Sequence, residues 1–162
     1  MSKRLLLTLL LLLPVAAGIW HFLPDSRLLP EDLPLTFTDG THTTFGELRG
    51  KPLMLAFWSV NCPACLNDMP KLTQLRRQLG PQGIHVIAVS IPQDPPPAIM
   101  ATVRKFQPGY PTALDVQGEI ARSVGGVDAT PMTLFIDRQG RIVRRIYGKL
   151  DLTSVRATLK TL

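Results

Sequence analysis

The chain has two cysteines, and both fall in 57-FWSVNCPACLNDMP-70, as Cys62 and Cys65 with Pro63 and Ala64 between them. A C-x-x-C pair admits three chemistries: a structural cross-link, two ligands of a metal site, or a dithiol that exchanges with other disulfides. As a cross-link it closes only a few residues, so it removes little entropy from the unfolded chain, and the tight loop is easily reduced. A closed zinc site needs four ligands. The histidines left to complete one are His21, His42 and His85, none of them paired at ligand spacing. The dithiol reading accounts for the placement. If a helix starts just after Cys62, unpaired backbone N–H groups and the positive end of the helix dipole favour its thiolate. Each unit by which the pKa falls corresponds to about 1.4 kcal/mol. Cys65, three residues on, faces the same side and can break a mixed disulfide formed by Cys62. Pro63 suits the first helical turn, where a missing N–H costs no bond.

The elements that must hold this pair follow from the apolar pattern. The run 53-LMLAFW-58 behind Pro52 reads as a strand buried on both faces, and 84-IHVIAVSI-91 as a second. Between them Leu66, Met69, Leu72, Leu75 and Leu79 recur three or four apart, the stripe of an amphipathic helix stopped by Gly80 and Pro81. Strand, helix, strand in one layer predicts a right-handed crossover, with the cysteines where the first strand passes into the helix. Leu35 to Phe45 predict a hairpin around Asp39-Gly40. Further helices are expected over Pro95–Phe106, Gly118–Val124 and Leu152–Leu162, the last burying Val155, Leu159 and Leu162. Strands are expected over Leu134–Ile136 and Ile142–Tyr147, joined at Arg138-Gln139-Gly140. The sum is an α/β architecture, a mixed sheet with helices on both faces.

The 162 residues, 45% hydrophobic and 19% charged, suffice for one domain. Lys3 and Arg4 precede an apolar run from Leu5 to Leu23, an export signal. Val15-Ala16-Ala17 fits a peptidase site, whereas the length of the run and Trp20 favour a retained anchor. We therefore expect a signal or anchor over 1–23, a tether over 24–33 and the domain over 34–162. Without Lys3 and Arg4 the chain holds 16 Lys and Arg against 12 Asp and Glu, a net +4. The pairs Arg76-Arg77, Arg104-Lys105 and Arg144-Arg145 lack interleaved aromatics and read as solvated faces, so no nucleic-acid partner is expected.

A strand, FW-x-x-x-C-P-A-C, a helix with Pro70 early in it, and the distant 127-VDATPMTLFIDRQGRIV-143 together resemble the thioredoxin superfamily. Within it, the chain is similar to the membrane-anchored exported thiol-disulfide oxidoreductases of the TlpA/ResA type. The resemblance implies a thioredoxin fold, a mixed central sheet flanked by helices, with an N-terminal hairpin extension and a helical insert over 92–111. It implies that Cys62 attacks, Cys65 resolves, and Pro131 is a cis-proline opposite the dithiol. Trp58, Asn61, Pro63, Ala64 and Thr130 are then expected to meet substrate. Asp68 stands where that group carries an acid, placed to accept the proton of Cys65. The buried Asp of thioredoxins is replaced by Ala56; Asn61 and Met132 depart from the aromatic and Thr usual there, both expected at the substrate surface.

The resemblance further implies a redox-active disulfide that needs no cofactor, disulfides of exported proteins as substrates, and a membrane protein that returns electrons. It implies a monomer on the periplasmic side of a bacterial inner membrane, anchored or released. Cytochrome c maturation is one client pathway, which no residue here selects. Pro63-Ala64 lacks the histidine that makes strong oxidants, which favours a reductase; an oxidase or isomerase with the same dithiol, and a non-enzymatic copper or thiol-binding module, stay open. A peroxidase would want Pro and Thr where Leu55 and Ser59 stand.

Overall fold

The computed structural model describes residues 27–80 and 83–162. The expected signal or anchor, residues 24–26 of the expected tether, and Pro81 lie outside the described residues. Seven strands form one mixed sheet, β1 (Pro34–Phe37), β2 (His42–Thr44), β3 (Leu53–Trp58), β4 (His85–Ser90), β5 (Thr112–Leu114), β6 (Met132–Ile136) and β7 (Ile142–Tyr147), in the order β2-β1-β5-β4-β3-β6-β7. Four helices accompany them among the described residues: α1 (Pro63–Leu79), α2 (Pro96–Phe106), α3 (Glu119–Ser123) and α4 (Leu152–Leu159).

β3 sits inside the sheet, parallel to β4 and antiparallel to β6, and all six of its residues are buried. Because successive side chains alternate across a strand, the run feeds two cores. Leu53, Leu55 and Phe57 join Ile87, Val89, Leu134 and α3's Ile120 on one face. Met54, Ala56 and Trp58 join α1's Cys65, Met69, Leu72 and Leu75, α2's Ile99 and α4's Val155 on the other. The crossover through α1 is as the periodicity predicts, and its C-cap is Gly80 at φ 70°. The β1–β2 hairpin turns at Asp39-Gly40, where Gly40 takes φ 85° and the Asp39 carboxylate accepts from the Thr41 N–H and O–H.

Three expectations are corrected. β5 was not expected: only three residues long, it carries no periodicity of its own, yet it pairs with both β4 and β1 and so ties the hairpin to the sheet. The tether reading fails over 27–33, because Leu29 and Leu33 are buried in the core and residue 28 bridges to Arg141; in a short polar stretch those leucines were the signal. α4 stops at Leu159, capped at its start by the Asp151 carboxylate on the N–H groups of Thr153 and Ser154, and Leu159 and Leu162 are only half-buried.

Of the basic pairs, Arg144-Arg145 differs from its expected role, while Arg104 and Lys105 are exposed as expected. Arg144 donates to Thr158 and Ser154 on α4, while Arg145 turns inward to the carbonyls of Val124 and Gly126 and to Met132 Sδ. No helix among the described residues is long and apolar enough to cross a membrane.

Candidate active site

β3 ends at Trp58, and the next four residues turn the chain into α1 with Cys62 as its N-cap, in extended conformation at φ −108°, ψ 95°. Pro63 fills the first helical position, and no acidic residue lies in the first turn to oppose a thiolate there. Cys62 Sγ accepts the backbone N–H of Cys65 at 3.1 Å. The two cysteines are joined as a disulfide, with Cα atoms 5.2 Å apart. Both are largely buried, Cys62 at 9% exposure and Cys65 at 4%. Pro63 and Asn61 are exposed and Ala64 half-buried, so the approach to the pair runs over these residues.

Pro131, from the turn that leads into β6, reaches the same site. The Thr130–Pro131 bond is cis, both residues are half-buried, and Pro131 and Cys65 line one small cavity. Arg145 fastens the chain just before this turn through the carbonyls of Val124 and Gly126, and Gly148 N–H donates to the Pro131 carbonyl at 2.9 Å. Two expected surface positions are corrected by burial, Met132 through the alternation of β6. Met132 is fully buried and belongs to the opposite core. Trp58, 4% exposed, is buried in the core it shares with Cys62 and Cys65 and lines a cavity with Cys65, so it does not offer a contact surface.

That cavity, about 20 Å³, is lined by Ala56, Trp58, Cys65, Asp68, Tyr110 and Pro131 among others, and this volume accommodates a single water. Asp68 is buried on α1, one oxygen accepting from Lys71 Nζ at 2.7 Å and the other from Leu150 N–H at 2.7 Å. A carboxylate therefore reaches the cavity from the helix, where Ala56 on the strand supplies none. Three residues here were missed from the sequence: Tyr110, and the buried pair Ser59 and Asp94, hydrogen-bonded at 2.9 Å across 35 positions. No local pattern signals such a long-range contact. Among the described residues no cluster of His, Cys, Asp and Glu is arranged to hold a metal ion.

Burial, with the Asp68 carboxylate adding to it, holds the Tyr110 hydroxyl well above its ordinary pKa. The phenol stays neutral in the fold, while in the unfolded chain it ionises near pH 10. Its contribution is therefore complete below pH 10 and is lost as pH rises toward the folded value. Tyr110→Phe should flatten the alkaline loss of stability, read as urea midpoints at about pH 8 and about pH 11. At neutral pH the variant should match the wild type within about 1 kcal/mol, because the hydroxyl has no protein partner.

Residues 22–161 match the family model described as Redoxin. Thiol-disulfide oxidoreductase ResA of Bacillus thuringiensis subsp. konkukian is 26% identical over 126 residues, 78% of this chain and 72% of that protein. Thiol:disulfide interchange protein DsbE of Pseudomonas aeruginosa is 30% identical over 120 residues, 74% of this chain and 64% of that protein. Among solved structures, the exposed lipoprotein thioredoxin of Streptococcus pneumoniae superposes with a TM-score of 0.73 over 81% of this chain and 99% of that one. At 24% identity that likeness speaks to the fold, which is thioredoxin-like.

Proposed function

The chain belongs to the Redoxin family, and from that premise we infer that it is a thiol-disulfide oxidoreductase whose Cys62–Cys65 dithiol reduces disulfides of exported proteins. The observation that carries this is the placement of the disulfide: Cys62 caps α1 and its sulfur takes a backbone N–H. The relatives are named thiol-disulfide oxidoreductase ResA and thiol:disulfide interchange protein DsbE, which supports the dithiol chemistry.

In the reducing direction the Cys62 thiolate attacks one sulfur of the substrate disulfide. A Cys62–substrate bond forms, the substrate S–S bond breaks, and the displaced sulfur leaves as a thiolate. Cys65 then gives up its proton and attacks Cys62 Sγ, which expels the second substrate thiolate. Substrate has gained two electrons, and the pair has become a disulfide. No cofactor beyond that disulfide enters. Thr130, Pro131, Asn61, Pro63 and Ala64 frame the approach, and Thr130 offers backbone groups to an extended substrate segment.

Asp68 is proposed as the acceptor of the Cys65 proton, directly or through one water in the shared cavity. Asp68→Asn keeps the shape and removes the base. Resolution should slow by about 10-fold, even though the Cys65 pKa should fall once no neighbouring carboxylate opposes its thiolate. Stopped-flow decay of the mixed disulfide together with thiol titration reads both; an unchanged rate removes the role.

The Lys3-Arg4 pair and the apolar run to Leu23 support an amino-terminal anchor in the bacterial inner membrane, with the domain on the periplasmic side. A reductase there needs a membrane protein that delivers reducing equivalents outward. The reduced chain should precipitate insulin by cleaving its disulfides, measured beside hydrogen peroxide consumption and copper titration. Copper binding without insulin reduction would replace this reading with a metal-binding one.

A further inference from the structure

The buried carboxylate of Asp94 has no part in the exchange chemistry, yet it is tied to the loop that delivers the nucleophile. Asp94 lies in the connection between β4 and α2, within the helical insert, and is 5% exposed. Its Oδ1 accepts the Ser59 hydroxyl at 2.9 Å, and its Oδ2 accepts the Val60 N–H at 2.8 Å. Ser59, itself 6% exposed, passes the constraint on: its Oγ accepts the Asn61 N–H at 3.1 Å, and its carbonyl accepts the Cys62 N–H at 3.1 Å. The two connections are also joined through their backbones. Ile91 N–H donates to the Trp58 carbonyl at 3.1 Å, and Asp94 N–H to the Ile91 carbonyl at 3.2 Å.

We propose that Asp94, acting through Ser59, is a positioning residue for Cys62, so that the insert between β4 and α2 sets the reactivity of the dithiol. The three N–H groups from Val60 to Cys62 are all spent on this clamp or its relay. The turn between β3 and α1 thereby has one conformation, in which Cys62 enters the helix at the N-cap with its sulfur on the Cys65 N–H. Without the carboxylate the turn keeps its local bonds but loses its anchor across the fold. Cys62 Sγ then spends less time at the helix end that stabilises its charge. A buried hydrogen-bonded carboxylate is costly to retain, and packing alone gives no reason for one here. This inference rests on the dithiol reading above.

Full-length variants carrying Cys65→Ala leave Cys62 as the chain's one thiol, and its ionisation is read from the pH dependence of iodoacetamide alkylation. In that background Asp94→Ala and Ser59→Ala should each raise the Cys62 pKa by about half a unit to one unit and slow alkylation at neutral pH by about 3- to 10-fold. The double replacement should do little more than either one, because both break one relay. Asp94→Asn should recover most of the rate: its amide oxygen can take the Val60 N–H while its NH₂ donates to Ser59 Oγ.

Alkylation does not depend on substrate exchange, so failure of the parent chain to reduce insulin would count against the function and leave this test intact. An unchanged Cys62 pKa in folded Ser59→Ala and Asp94→Ala proteins overturns the proposal. So does an equal fall of the pKa in Asp94→Ala and Asp94→Asn, which would mean that the charge acts and the anchor does not. Should Asp94→Ala fail to fold, Ser59→Ala alone decides, since it removes the relay and leaves the Asp94–Val60 bond in place.

Discussion

Cys65→Ala should accumulate proteins covalently joined to Cys62, whereas Cys62→Ser should capture none. In the alanine variant the first exchange still occurs, because the sulfur that attacks and the Cys65 backbone N–H it accepts are both retained. The second exchange has no nucleophile, since the chain contains only these two cysteines. Turnover of insulin should fall by at least about 10³-fold in either variant, as no other group takes over thiolate attack. The two differ in what they hold: non-reducing gels should show dithiothreitol-sensitive adducts for Cys65→Ala alone. Equal adducts from both variants would mean that Cys65 also attacks, contrary to its 4% exposure.

Phe135→Ala should be the most destabilising of the changes considered. Phe135 is fully buried in β6, in the core shared with Met54, Leu75, Ile99 and Val155. Loss of a buried phenyl ring costs about 3–5 kcal/mol, a large part of the roughly 5–15 kcal/mol that holds a domain folded. Urea unfolding should show that drop, while Phe106→Ala, on a residue 37% exposed at the end of α2, should stay within about 0.5 kcal/mol. If both changes cost the same, Phe135 does not fill the core between β6 and the helices. Activity should suffer with stability, because Pro131 immediately precedes β6.

What the sequence disclosed and what it hid divide along the range of the interactions. The strands β3 and β4, helix α1 and the cap at Cys62 rest on local periodicity and on a proline at the first helical turn, and they stand where those signals put them. Placement of the cis-proline segment opposite the cysteines came through resemblance, since nothing near Thr130 indicates what it faces. β5 escaped because three residues cannot display a period. Met132 was misplaced for a different reason. Its position beside Pro131 suggested the surface, but the alternation of β6 sends it with Leu134 and Ile136 into the far core. Asp94 sits in the proline-rich start of the stretch read as a helical insert, and only the folded chain reveals that Ser59 and Val60 bond to it.

The described chain enters the sheet at its far pole. Leu29 N–H bonds the Gly140 carbonyl beside the Leu53–Ile136 pair, whereas the sulfurs stand beyond Trp58 and Pro131 at the other end of the same strands. Five residue steps of β3 separate these ends, roughly 17 Å at the usual strand rise. The backbones of Arg27 and Leu29 are therefore bonded at the end of the sheet opposite the sulfurs, so the anchor proposed above would hold the domain away from the end that meets substrate.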